Sequence, residues 1–190
     1  DMRNWYFLFF ILLISSRAFS QIETLSDAEL GFSGEVAVPA KELAASNKTG
    51  FGGSAKFAYN FTDKNFALTF QSGIIVFNGK QPDSLNSMPN LLKETYPIYN
   101  MVPVKLGARV TFGPGIYAEP QIGTTFVFTS GHFGESVFYA AFTYAFNVGY
   151  HTLPGLDIGI RYESISAAPN LSFIGLRCGY TFTFRRQDIY

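Results

Sequence analysis

Side chains alternate in character at every second position through most of this sequence after residue 20, and no stretch keeps an apolar stripe at helical spacing. The segment RCGYTFTF near the C-terminus is typical. Tyr180, Phe182 and Phe184 fall on one face, while Arg177 and Gly179 fall on the other. A period of two is that of a β-strand, whose successive side chains point to opposite faces. The chain is therefore predicted to be all-β.

Eight strands are predicted, bounded by Gly, Pro, Asn and Asp. They cover residues 29–38, 53–61, 66–77, 98–112, 116–129, 136–150, 156–165 and 171–184. Most are at least as long as the ~9–11 residues of a tilted membrane-spanning strand, whereas globular strands more often have ~5–6. Strand length therefore favours a membrane barrel. Pro103 and Pro120 lie inside predicted strands and predict local bulges, because proline lacks a ladder N–H.

The connections between predicted strands alternate in length. Short turns are expected at 62–65, 113–115 and 151–155, and the other connections at 39–52, 78–97, 130–135 and 166–170. Short periplasmic turns opposite longer outer loops are typical of outer-membrane barrels. An even strand count also places both ends of the barrel sequence on the periplasmic side.

The low charge of the sequence indicates which face of the strands is inside. Charged residues make up 15% and aromatic residues 17%, including 21 Phe, whereas a globular domain carries roughly 25% charged residues. The interior of an eight-stranded barrel is only just wide enough for side chains to fill, so an aromatic interior would be overfilled. We therefore predict an eight-stranded antiparallel up-and-down transmembrane β-barrel, apolar outside and polar inside. Aromatic residues near strand ends, Tyr117 and Tyr150 among them, are expected to form an interfacial girdle.

Charged residues on the predicted inner face are balanced in sign. The basic ones are Lys56, Lys105, Arg109, Arg161 and Arg177, and the acidic ones are Glu29, Glu35, Glu119, Asp157 and Glu163. Buried charges persist only when they are paired and hydrogen-bonded. The balance therefore predicts a charge network that plugs a narrow lumen. The alternative, solvated lumen residues of a small pore, stays open at this point.

The N-terminal segment is predicted to be a signal peptide. An apolar run of ten residues, 5–14, follows a short positive start and precedes the small residues Ala18 and Ser20. The run is shorter than the ~20 residues of a spanning helix, which disfavours the alternative of an uncleaved anchor. Residues 1–20 are therefore expected to be cleaved off, leaving residues 21–190 as the barrel domain. A formal net charge of zero gives no electrostatic reason to expect nucleic acid as a partner.

The sequence predicts no catalytic residue, metal site or cofactor. One outer loop, TSGHFGES, groups Ser130, His132, Glu135 and Ser136, which keeps a lipid-modifying enzyme as a minor alternative. The loops 39–52 and 78–97 are the long ones, and long loops are usually functional or disordered. An extracellular ligand or protein partner is expected there, and LLKETY in the second loop could form a helical turn over the barrel mouth.

The last strand resembles a known assembly motif. Arg177, Gly179, Phe182 and Phe184 match the C-terminal β-signal of outer-membrane barrels, although RRQDIY follows Phe184 where many members end. The whole barrel resembles the small outer-membrane barrel domain of Bacteroidetes, similar in architecture to OmpA- and OmpX-type barrels. This resemblance implies a monomer in the Gram-negative outer membrane, with membrane lipids and the barrel-assembly machinery as partners. The balanced inward charge and the small number of strands favour a structural, adhesive or partner-binding role rather than an enzymatic one, with a passive porin-like pore as the alternative.

Overall fold

The computed structural model describes residues 28–61, 65–80, 96–130, 136–152, 155–168 and 170–184. The predicted signal peptide, residues 1–20, lies outside the described residues, as do the first five residues of LLKETY. Within the described ranges, no helix is long and apolar enough to cross a membrane.

Eight antiparallel strands form one closed barrel, in which each strand pairs with the next and the last pairs with the first. The strands are β1 (Ala28–Ala40), β2 (Gly50–Asn60), β3 (Phe66–Phe77), β4 (Ile98–Phe112), β5 (Ile116–Ser130), β6 (Ser136–His151), β7 (Leu156–Ser166) and β8 (Leu171–Phe184). One short helix, α1 (Lys41–Ser46), follows β1. The predicted eight-stranded up-and-down barrel is confirmed. Its strand bounds differ from the predicted ones by three residues at most.

The strands are strongly staggered around the barrel. A path that leaves β1 at Leu30 and follows the paired residues through all eight strands returns to β1 at Ala40, ten residues further along. Such a shear tilts the strands, typically by about 35–45° from the barrel axis. The offset of ten residues is even and the side-chain period is two. Every strand therefore keeps the same set of side chains on the inner face when the barrel closes.

The bulges predicted at Pro103 and Pro120 are wrong, because no residue is inserted at either position. The pairing of β4 with its neighbours keeps one register on both sides of Pro103, and the same holds for β5 at Pro120. Pro103 still pairs with Thr125, and Pro120 with Phe146, while pairing is interrupted beside each proline on its other flank. A strand residue points its N–H toward one neighbour only, so each proline removes a single ladder bond without shifting the strand.

The outer wall is apolar and the inner wall is largely polar. Leu106 and Ile122 are 64% and 61% exposed, whereas ten charged side chains are buried. Tyr117 differs from the prediction, since it is only 1% exposed and faces the interior. It shares its face with Glu119, two residues along β5, so its assignment to the outer aromatic girdle is wrong.

At the end of the barrel that carries α1, named here the loop end, the interior is apolar. The apolar cluster consists of Ala37, Leu43, Ile75, Phe77, Met101, Val127, Ala141, Ile165, Leu171 and Phe173. Leu43 enters it from α1 and is fully buried. The opposite end, with the connections β2–β3, β4–β5 and β6–β7, is named the turn end. The barrel interior is thus closed by apolar packing at one end and filled with charge below it.

Candidate functional site

The buried charges divide into three layers along the barrel axis, and each layer has a formal charge of zero. From the turn end upward, the lower layer holds Glu29 and Arg109, the middle layer holds Lys56, Glu119, Asp157 and Arg177, and the upper layer holds Glu35, Lys105, Arg161 and Glu163. None of the ten is more than 8% exposed. Each buried charge therefore has an opposite charge within its own layer, as charged side chains removed from water require.

The lower layer is a closed hydrogen-bonded triangle. Arg109 Nη2 on β4 donates to Glu29 Oε2 on β1 at 2.7 Å and to Asn60 Oδ1 on β2 at 3.0 Å. Asn60 Nδ2 donates to the second carboxylate oxygen, Glu29 Oε1, at 2.8 Å. The carboxylate thus has a partner on each oxygen, and β1, β2 and β4 are tied together at the turn end.

The middle layer is centred on the hydroxyl of Tyr117. This hydroxyl donates to Asp157 Oδ1 at 2.6 Å and accepts from Arg177 Nη2 at 2.7 Å. Lys56 Nζ lies 3.2 Å from Asp157 Oδ2 and 3.4 Å from Glu119 Oε2, so it bridges two carboxylates. The Lys56 ammonium also lies 5.1 Å from the centre of the Tyr117 ring, within the range of a cation–π contact.

Neutral side chains complete the middle layer. Glu119 Oε1 accepts from Thr69 Oγ1 at 2.9 Å and from Gln121 Nε2 at 2.5 Å. Gln121 Nε2 also donates to Gln71 Oε1 at 2.9 Å. Glu119 is fully buried, yet its Oε1 accepts two hydrogen bonds and its Oε2 forms an ion pair with Lys56.

The upper layer joins β1, β4 and β7 directly beneath the apolar cluster. Arg161 Nη2 donates to Glu35 Oε2 at 2.6 Å, and Arg161 Nε lies 3.3 Å from Glu163 Oε2. Lys105 forms an ion pair with that same Glu163 oxygen. The guanidinium carbon of Arg161 lies 5.7 Å from the ring centre of Phe173. Arg161 thus links the charged layers to the apolar cluster by stacking on one of its rings.

All nine residues predicted to form the lumen charge network are buried inside the barrel, and each makes at least one ion pair. They are Glu35, Lys56, Lys105, Arg109, Glu119, Asp157, Arg161, Glu163 and Arg177. The sequence reasoning missed the inward position of Tyr117 and the apolar cluster at the loop end. The strand period could have identified Tyr117, because it lies two residues before an inward carboxylate.

The residues of the predicted assembly signal lie on both faces of β8. Arg177 points into the lumen, and a β-carbon at Gly179 would collide with the backbone of Phe32 and Ser33 on β1. Phe182 and Phe184 are outside, 50% and 55% exposed. Arg177 and Gly179 therefore take part in packing inside the barrel, whereas Phe182 and Phe184 lie on its outer surface.

The residues of the alternative catalytic loop fall largely outside the described part of the chain. Ser130 ends β5 and is exposed. His132 and Glu135 lie outside the described residues, and so does the side chain of Ser136. The described residues therefore do not test that alternative, which stays a prediction.

Similarity to known proteins is structural. No family model matches the sequence, and no curated protein matches it. The crystal structure of Ail, the attachment invasion locus protein of Yersinia pestis, is similar with a TM-score of 0.59 at 12% identity, covering 83% of this chain and 99% of Ail. Neisserial surface protein A has a TM-score of 0.57 at 16% identity, covering 85% of this chain and all of that one. Ail in complex with the heparin analogue sucrose octasulfate has a TM-score of 0.52 at 14% identity, covering 83% and 97%. The chain has the fold of the small eight-stranded outer-membrane barrels.

Proposed function

We propose that this chain is an integral outer-membrane protein of a Gram-negative bacterium, whose sealed barrel supports outer loops that adhere to or bind a partner. The outer wall supports the membrane location. Large apolar side chains are exposed along every strand, for example Phe57 at 45%, Leu106 at 64%, Phe142 at 56% and Leu176 at 58%. Such a belt is unfavourable in water but matches a bilayer. Barrel closure also leaves no strand edge without a hydrogen-bonding partner in lipid.

The single observation that carries the proposal of a sealed lumen is the stack of neutral charge layers beneath an apolar cluster. A passive pore would need hydrated charges, yet the ten charged side chains are paired with one another and none is more than 8% exposed. Moving an ion past them would require breaking buried pairs, which cost several kcal/mol each. The pairing and burial of these charges favour the sealed barrel over the porin-like alternative. We therefore propose that the loops carry the function.

The names of two structural neighbours support a role in attachment. Ail is an attachment invasion locus protein that has been solved with a heparin analogue, and the second neighbour is a surface protein. We propose that the loops 39–52 and 78–97 present the binding surface here, and that a sulfated or phosphorylated glycan is the first class of ligand to test. The chain is proposed to act as a monomer, with no enzymatic step.

Two further features belong to this proposal. Residues 1–20 would direct export and be removed, so that the mature protein begins at Gln21 and consists of the barrel domain 21–190. Arg177, Gly179, Phe182 and Phe184 would be read by the barrel-assembly machinery as the β-signal. The Bacteroidetes type of barrel remains the family that the sequence resembles.

The sealed barrel is tested by conductance in a planar lipid bilayer. Residues 21–190 are refolded, shown to be folded by a heat-dependent gel shift, and compared with a known small porin at equal protein density. We expect no channel openings. Steady openings of reproducible size would contradict the sealed barrel and favour the passive pore.

The role of the loops is tested by whole-cell binding to immobilised heparin and to host extracellular matrix. One variant replaces residues 82–94 with a short Gly/Ser linker, and the control replaces the turn at 62–65 on the opposite end with Asn-Gly. We expect the loop variant to lose binding at unchanged surface level, while the turn variant keeps it. Equal binding by both variants would contradict a role for this loop.

A further inference from the structure

The connection between β1 and β2 is folded over the barrel mouth. Residues 41–49, named here the lid, contain α1, which packs on β1 and β8. Leu43 is fully buried in the apolar cluster at the loop end of the barrel. A surface connection normally runs over the outside with few buried side chains. This one instead supplies the top of the barrel interior.

One side chain of the lid, Asn47, forms hydrogen bonds to both ends of the connection between β3 and β4. Its Nδ2 donates to Pro97 O at 3.1 Å and to Phe77 O at 3.4 Å, which are the residue before β4 and the last residue of β3. Its Oδ1 accepts from Ser46 Oγ at 2.6 Å. Asn47 is fully buried. A buried amide with its donors and its acceptor engaged fixes geometry, because any movement leaves polar groups unsatisfied.

The lid is also paired by its backbone to the segment that follows β3. Lys48 N donates to Asn78 O at 2.8 Å, and Lys80 N donates to Ser46 O at 2.7 Å. Asn47 and Gly79 form an isolated antiparallel bridge between them. The ammonium of Lys80 also donates to Ala44 O at 2.5 Å. The polar contacts between the lid and this segment therefore lie on residues 44–48, beside the apolar contacts of Leu43.

The joint between the lid and β1 has an unusual backbone conformation. Lys41 has a φ of 52°, the left-handed region that non-glycine residues adopt at a cost. The chain turns sharply there between the extended Ala40 and the first turn of α1. The closed position is thus maintained by Asn47 and Leu43 against an unfavourable joint.

We propose that residues 41–49 are an opening lid latched by Asn47, which controls access from the outer mouth to the apolar cluster and the upper charge layer below it. The lid opens as a local unit while the eight strands stay paired. Its contacts are separate from the ladder hydrogen bonds and from the ion pairs of the lumen, which supports opening without barrel unfolding.

The test is amide hydrogen exchange on the refolded barrel in detergent micelles, comparing Asn47→Ala with the matched control Asn78→Ala. Asn78 is exposed and contributes its backbone oxygen to the pairing. We expect Asn47→Ala to speed exchange of the Lys48 and Lys80 amides by about tenfold, because the carbonyls of Phe77 and Pro97 lose their hydrogen-bond donor. Exchange in the strands should be unchanged. Equal exchange rates in the two variants would contradict the proposal that Asn47 latches the lid. Equally faster exchange in the strands would contradict local opening.

Access through the mouth is tested with a thiol at Ala37, which is fully buried in the same apolar cluster as Leu43. Ala37→Cys is made in a Cys178→Ser background, since Cys178 is the only cysteine of the chain. A charged, water-soluble thiol reagent should label it several-fold faster when Asn47→Ala is added. Unchanged labelling would overturn control of access by the lid. The lid can be present whether or not the lumen conducts, so exchange and bilayer conductance test separate claims.

Discussion

Glu35 of β1 reaches over β8 to meet Arg161 of β7, with Glu35 Oε2 and Arg161 Nη2 2.6 Å apart and both side chains enclosed. Gly175 of β8, paired with Arg161 in the sheet, makes this contact possible because it has no side chain in the way. Two strands that do not pair with each other are thereby joined inside the barrel. The residues lie 126 positions apart in the sequence.

Removing Arg161 should be strongly destabilising. Arg161→Ala leaves Glu35 without its ion pair and Glu163 with Lys105 alone, and breaking a buried pair in this way costs about 3–5 kcal/mol. The free energy of unfolding is measured by urea titration in detergent micelles. The double variant Glu35→Gln with Arg161→Met removes both charges and should cost less than Arg161→Ala alone. If the double variant were the less stable one, the assigned pairing would be wrong.

Substituting Gly175 should destabilise the upper layer by crowding. A β-carbon at Gly175 would collide with Glu35 Oε1, whereas one at Gly34 on the outer wall would meet nothing within 4 Å. Gly175→Ala is therefore expected to cost about 1–3 kcal/mol, and Gly34→Ala less than about 0.5 kcal/mol. Shortening the carboxylate with Glu35→Asp should recover part of the loss in the Gly175→Ala background. The same urea titration compares these three variants with the wild type.

The hydroxyl of Tyr117 should contribute measurably to stability. Tyr117→Phe removes one oxygen that donates to Asp157 and accepts from Arg177, so both charged groups lose a partner. We expect a loss of about 1–3 kcal/mol in the free energy of unfolding. Tyr150, which is 40% exposed on the outer wall, provides the control Tyr150→Phe, with little expected change. Equal effects of the two substitutions would show that the middle layer does not depend on this hydroxyl.

The lower and upper layers should behave independently. Glu29 and Glu35 are six residues apart on β1, or roughly 20 Å at about 3.3 Å per residue. The effects of Arg109→Met and Arg161→Met should therefore add within about 0.5 kcal/mol when the two are combined. A larger deviation in the double variant would mean that the three layers form one cooperative network.

The β-signal should matter for assembly and not for stability. Phe184→Ser and Phe138→Ser each remove one exposed outer aromatic, 55% and 60% exposed, from β8 and β6. Both variants should refold in detergent, as judged by the heat-dependent gel shift. In cells, only Phe184→Ser should lower the amount of barrel in the outer membrane. Equal loss for both would indicate a general effect of the aromatic belt.

The strands and their faces could be predicted because both follow from local regularities. A period of two fixes which residues share a face, and Gly, Pro and Asn mark the ends of strands. The ten inward charges were identifiable for this reason, as Glu119 and Gln121 illustrate by lying on one face of β5. The same regularity applied to Tyr117, whose position near a strand end suggested an interfacial role instead. The alternation of faces along β5 indicated the position of Tyr117 more reliably than its distance from the strand end.

The sequence by itself determined an eight-stranded barrel with an apolar outer face, a balanced charged interior and loops of unequal length, because these depend on composition and on side-chain period. Only the tertiary structure decided which charges are partners, since Glu35 and Arg161 meet across β8 through the β1–β8 pairing that closes the barrel, and no local pattern encodes the register of that pairing. It also decided that Leu43 and Phe77 close the interior and that Asn47 holds the lid in place. Contacts between distant segments depend on how the strands are staggered when the barrel closes, and that stagger is a property of the whole sheet.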